Sequence, residues 1–83
     1  MNKNEKNRPA HEIRYGGIKA VIWRNNTQNG PMHNVSVARL YKDGDQWKEA
    51  SSFNTEDLPT LAKAVQDAHS WIQAQRSAEA AAA

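Results

Sequence analysis

The chain has 83 residues, 39% of them hydrophobic, with no cysteine and a formal net charge of +2. That length makes one domain with a modest core, so self-association is an expected source of added stability. Without cysteine there is no disulfide framework and no thiolate zinc site, and no apolar run reaches a membrane span or reads as a signal-peptide core. The expectation is a soluble, cytoplasmic protein, with the nucleoid as a further location.

Residues 1–10, MNKNEKNRPA, are polar and aperiodic and read as a disordered basic arm. His11–Tyr15 reads as a short strand, closed by a turn or bulge at Gly16–Gly17. In the next strand, Ile18–Arg24, side chains alternate. Ile18, Ala20 and Ile22 suit a covered face, and Lys19, Val21 and Trp23 point the other way. Residues 25–31, NNTQNGP, are rich in turn formers, with Asn29–Gly30 as a hairpin signal. Met32 or His33 through Lys42 reads as the third strand. Val35, Val37, Arg39 and Tyr41 share one parity, and Ser36, Ala38, Leu40 and Lys42 the other; alternation alone does not choose between them. Asp43–Gly44 is a second hairpin turn. Asp45–Phe53 follows as a strand, with Trp47, Glu49, Ser51 and Phe53 on one side and Gln46, Lys48, Ala50 and Ser52 on the other.

Asn54 or Thr55 caps a helix running to about Arg76, with Glu56 and Asp57 near its positive end. Leu58, Leu61, Val65, Ala68 and Ile72 recur at spacings of three and four, one stripe of an α-helix. The alanine-rich tail, residues 77–83, can continue the helix or fray. The fold class is therefore α+β: a four-stranded antiparallel meander followed by one C-terminal helix (ββββα), with residues 11–76 as the domain. If the stripe serves the protomer's own sheet, a homodimer contact falls to flanking residues, Ala64 and Trp71.

The chemistry is that of a binding surface. His11, His33 and His69 are scattered, with no ligand spacing between them. Asp43 and Asp45 flank a turn glycine, and Gly16–Gly17 is too short for a phosphate loop. The expectation is no enzyme, no metal, no cofactor and no small-molecule substrate. Residues 1–48 hold nine Lys/Arg against four acids, and residues 49–83 hold two against five. The strand-rich half is thus basic and carries interleaved aromatics: Lys19, Trp23, Arg24, Arg39, Tyr41, Lys42, Trp47 and Lys48. Cations that track phosphates, together with aromatics that stack on unpaired bases, suit single-stranded nucleic acid. The alternative is a small dimeric protein-interaction module anchored by Trp47, Phe53, Trp71 and Ile72. A double-stranded-RNA-binding fold needs a helix before the first strand, and residues 1–10 hold Pro9 and no apolar stripe.

Three stretches resemble the positive cofactor four family of single-stranded-DNA-binding transcriptional coactivators and their bacterial and phage relatives. Gly17-Ile18-Lys19-Ala20-Val21-Ile22-Trp23-Arg24 is similar to the family's Gly-Lys strand ending in Arg. Val37-Ala38-Arg39-Leu40-Tyr41-Lys42-Asp43 is similar to its Ile-Arg-x-Tyr strand before a glycine turn. Ser52-Phe53-Asn54-Thr55-Glu56-Asp57-Leu58 is similar to its junction from last strand to helix. The resemblance implies a ββββα protomer, a homodimer built partly through the helix, and single-stranded nucleic acid along the strands. It places Arg24, Arg39, Lys42 and Lys48 near that ligand. The chain departs from the family where Lys42 replaces a stacking aromatic, where Asn25 or Asn26 replaces another, and in a less basic last strand.

Overall fold

The computed structural model describes residues 8–82. Most of the basic arm, residues 1–7, lies outside the described residues, but Ala10 donates its N–H to Ile22 O at 2.7 Å. Four strands follow: β1 (His11–Tyr15), β2 (Ile18–Thr27), β3 (Gly30–Asp43) and β4 (Gln46–Ala50). A single 3₁₀ turn (Thr55–Asp57) leads into the helix α1 (Leu58–Ala82). The strands form one open antiparallel sheet in the order β1-β2-β3-β4, the ββββα order expected above. The helix includes the alanine-rich tail as far as Ala82.

Both glycines of the first turn have a conformational reason. Gly16 takes φ of 59°, which favours a residue without Cβ. At Gly17 a Cβ would lie 2.9 Å from Leu40 O, because Leu40 donates its N–H to Gly17 O at 2.7 Å and draws the two backbones together. The β2–β3 turn is tighter than its composition suggests. Pairing runs out to Thr27 and Gly30, and Thr27 Oγ1 bonds Gly30 O at 2.6 Å. The last strand is shorter than expected and ends at Ala50. Phe53, beyond it, turns in against the core.

The core lies between β2 and α1. Ile18, Ala20, Ile22, Ala64 and Ala68 are all 3% exposed or less, with Ile13, Val37, Phe53, Leu61, Trp71 and Ile72 packed around them. One expectation for the helix is corrected here. The buried face runs through Ala64 and Ala68, whereas Leu58 and Val65 stand 50% and 45% exposed. Ala64 is therefore fully covered within the protomer, and Trp71, half-buried, packs against the same core. Trp71 also stacks on His11 with ring centroids 4.8 Å apart.

Polar contacts fix the helix at two places. The Asp57 carboxylate accepts the Asn54 N–H at 3.0 Å, closing the helix start. Along the other flank, Tyr15 donates its hydroxyl to Asp67, whose second oxygen lies 3.5 Å from Lys63 Nζ. The hydrogen bond raises the Tyr15 pKa above 10.0 and lowers that of Asp67 below the ordinary carboxylate value. A depressed carboxylate stabilises the fold above its unfolded pKa, and that contribution is lost as pH falls through the folded value. Tyr15→Phe should therefore lower stability at neutral pH and flatten its decline on acidification. Urea midpoints measured from pH 7 down to pH 2 check this. A decline as steep as in the parent protein would mean that Asp67 is set by Lys63 alone.

Candidate nucleic-acid interface

Because Ile18, Ala20 and Ile22 face the helix, the strand register assigns every other side chain to a face. Ala20 pairs with Val37 and Ile18 with Arg39, and Arg39 in turn with Ala50. The parity of β3 left open by the sequence is thus settled. Val35, Val37, Arg39 and Tyr41 lie on the helix side; Ser36, Ala38, Leu40 and Lys42 lie on the open side. In β4, Trp47 and Glu49 face the open side and Lys48 the helix side.

The eight residues nominated from composition are therefore not one surface. Lys19, Trp23, Lys42 and Trp47 share the open face. Arg24, Arg39, Tyr41 and Lys48 lie on the opposite face, and each of their charges is engaged within the protein. Arg24 Nη2 is 3.0 Å from Glu79 Oε2, and Lys48 Nζ is 2.9 Å from Asp43 Oδ2. Arg39 donates from Nε to Ser52 O at 3.1 Å, lies 3.6 Å from Asp57 Oδ2, and sits 5.4 Å from the Tyr41 ring centre. It ties β3 to the segment that links β4 to α1, a structural task that neither composition nor the family resemblance reveals.

On the open face the register orders the remaining residues along β3. Trp23 stands opposite Asn34 and Lys19 opposite Ala38; Glu49 stands opposite Leu40 and Trp47 opposite Lys42. From Asn34 to Lys42 is eight residues of strand, about 27 Å, so the two tryptophans mark opposite ends of one diagonal track. Trp47 is 66% exposed, and Lys42 Nζ lies 5.8 Å from its ring centre. Trp23 is half-buried and donates from Nε1 to Ser36 Oγ at 3.2 Å. Between them Val21, Ala38 and Leu40 form an apolar floor. Val21 is only 7% exposed, because its same-face neighbours Glu12, Lys19, Trp23 and Ser36 close over it.

One cation of this face was missed. Arg14 pairs with Lys19 across β1 and β2, and its parity, opposite to Ile13, would have placed it there. Among the described residues neither Arg14 nor Lys42 has a carboxylate partner, whereas Lys19 Nζ is 2.7 Å from Glu49 Oε2. The described residues contain no cluster of three His, Cys, Asp or Glu able to hold a metal, and no helix among them is long and apolar enough to cross a membrane.

The architecture is an open antiparallel sheet backed by one helix, with cations and two tryptophans on its uncovered face. No family model, no curated protein and no solved structure matches the chain.

Structural and free cations should separate on mutation. Arg39→Met removes a charged hydrogen bond and should cost about 1–2 kcal/mol. Lys42→Met, at an exposed site, should stay within about 0.5 kcal/mol of the parent. Chemical denaturation of both variants checks the difference, and equal stabilities would deny Arg39 its role.

Proposed function

We propose that this protein binds single-stranded nucleic acid, with little sequence preference, along the open-face track from Trp23 through Lys19 to Lys42 and Trp47, and so assists transcription, replication, recombination or repair. The observation that carries this reading is Trp47. It is a large aromatic, 66% exposed, beside a lysine with no carboxylate partner among the described residues. Exposed indole and free ammonium supply the stacking and the phosphate contact that an unpaired strand requires. The interaction-module alternative has three of its four anchors engaged, since Phe53, Trp71 and Ile72 pack against the core.

The working unit in this reading is a homodimer, joined through a seam other than Ala64 and Trp71. The helix packs on β1 and β2 and barely on β3. On its β3 flank it leaves Leu58 and Val65 exposed, and the helix side of the sheet leaves Val35 and Tyr41 40% and 37% exposed. Leu58, Val65 and Ile72 are seven residues apart, a repeat that keeps to one side of a helix. A two-fold axis at Val65 sets two such helices antiparallel, with Leu58 of each copy against Ile72 of the other. It also brings the acidic start, Glu56, toward the basic Arg76, so one surface complements itself.

Fluorescence anisotropy with an unstructured oligonucleotide across a salt series tests the binding. Affinity should be micromolar or better at low salt, and Lys42→Ala with Trp47→Ala should weaken it at least tenfold, since one stacked base contributes about 1–3 kcal/mol. Binding weaker than tens of micromolar at low salt, or binding indifferent to salt, would overturn the reading. For the seam, Val65→Glu should yield monomers in sedimentation while leaving the helix content unchanged; a persistent dimer would place the contact elsewhere.

A further inference from the structure

The ion pair between Lys19 and Glu49 lies on the surface that the proposed ligand would occupy. Every other ion pair of the described residues, Arg24–Glu79, Arg39–Asp57, Lys48–Asp43 and Lys63–Asp67, belongs to the helix or to the helix side of the sheet. This one spans β3 from β2 to β4 at 2.7 Å, passing over the small side chain of Ala38. It also lies between the two ends of the track: in β3 register Glu49 follows Lys19 and precedes Lys42 and Trp47.

We infer that Glu49 is an internal competitor of phosphate, holding Lys19 in the free protein and yielding it only to a polyanionic strand anchored elsewhere on the face. The inference rests on the proposed reading of the open face. A carboxylate and a phosphodiester offer the same acceptor oxygens to one ammonium, so occupancy by one excludes the other. The two partners are unequal: the Lys19 side chain is 20% exposed and that of Glu49 56%. The lysine is held by its surroundings, and the carboxylate is the partner able to swing into water. An exposed ion pair of this kind is weak enough to be displaced. As an intramolecular acceptor it nonetheless meets Lys19 at high effective concentration. A lone phosphate in solution competes poorly with it, whereas a strand already seated on Lys42 and Trp47 delivers its next phosphate at comparable effective concentration. Glu49 thus selects polymer over free phosphate and limits affinity for the polymer.

The test compares the full-length parent, Glu49→Gln, Lys19→Met and the double variant for binding of a single-stranded oligothymidylate across a salt series. Thermal melts confirm that all four are folded. Glu49→Gln should bind about two- to tenfold more tightly at low salt. Its plot of log affinity against log salt should be steeper, because no carboxylate has to recover a counterion. In the Lys19→Met background the same substitution should change affinity little, since the competition has lost its object. An equal gain in both backgrounds would reduce Glu49 to a general repulsive charge and overturn the inference. So would a parent that binds and a Glu49→Gln variant that binds no better, in which case the nucleic-acid reading survives. If none of the four binds, both the reading and the inference fail.

Discussion

The close approach of α1 to β2 is the contact on which the rest of the structure depends. It is made by small side chains: Ala20 and Ala64 are fully buried, Ala68 is 1% exposed, and Ile22 beside them is fully buried. Methyl groups on both sides let the helix sit low on the sheet, and larger residues, Ile13, Val37, Phe53, Leu61, Trp71 and Ile72, close the rim. Because side chains alternate along a strand, seating Ala20 and Ile22 under the helix sends Lys19, Val21 and Trp23 to the opposite face. The register then carries this choice through the sheet. Ala20 opposite Val37 and Arg39 opposite Ala50 put Arg39, Tyr41 and Lys48 with the helix, and Lys42, Trp47 and Glu49 against solvent. One packing contact therefore sorts every charged residue of the sheet.

That contact covers only half of the sheet's inner face. Over β1 and β2 the helix is fastened by Trp71 on His11 and by Tyr15 on Asp67. Over β3 the helix makes few contacts, and order in β3 and β4 leans on polar links. Arg39 reaches Ser52 O and Asp57, and Lys48 clamps the β3–β4 turn through Asp43. A protomer of this size with Val35, Leu58 and Val65 in water has apolar surface left to bury, which is the physical case for a second copy of the chain.

How far the sequence was legible follows from these contacts. The strand order, the three turns and the start of the helix were readable, because alternation and turn chemistry are local. The parity of β2 was readable because Ile18, Ala20 and Ile22 are uniformly apolar. The parity of β3 was not, since both of its sets mix apolar and polar residues and only pairing with β2 decides. The helix misled for a specific reason. Leu61, Ala68 and Ile72 of the stripe do pack on the sheet, but Leu58 and Val65 are left exposed, and the contact is centred instead on Ala64 beside Ala68, a small side chain with a weak hydrophobic signal. The structural contacts of Arg39 were not legible because its type suits a phosphate as well as a carboxylate, and Ser52 O and Asp57 lie 13 and 18 positions along the chain. Arg14 was overlooked because β1 is too short to show a pattern of its own.

The basic character of the strand-rich half also changes meaning once partners are assigned. Arg24, Arg39 and Lys48 are neutralised on the helix side, and Lys19 is shared with Glu49, which leaves Arg14 and Lys42 without a carboxylate partner among the described residues of the open face. Even with Lys19 released, three cations neutralise at most three phosphates per protomer, a salt slope of about −2 for a single strand. Electrostatics of that size serves encounter and alignment more than tight retention. In the proposed reading, retention on this face would come from Trp23 and Trp47, separated by about 27 Å along the strand direction at the ends of an apolar floor. A ligand that engages both must be extended, unpaired and several nucleotides long. Duplex keeps its bases stacked inside and can meet neither indole face, so the spacing of two tryptophans, more than the sum of charges, is what would distinguish a single strand from other polyanions.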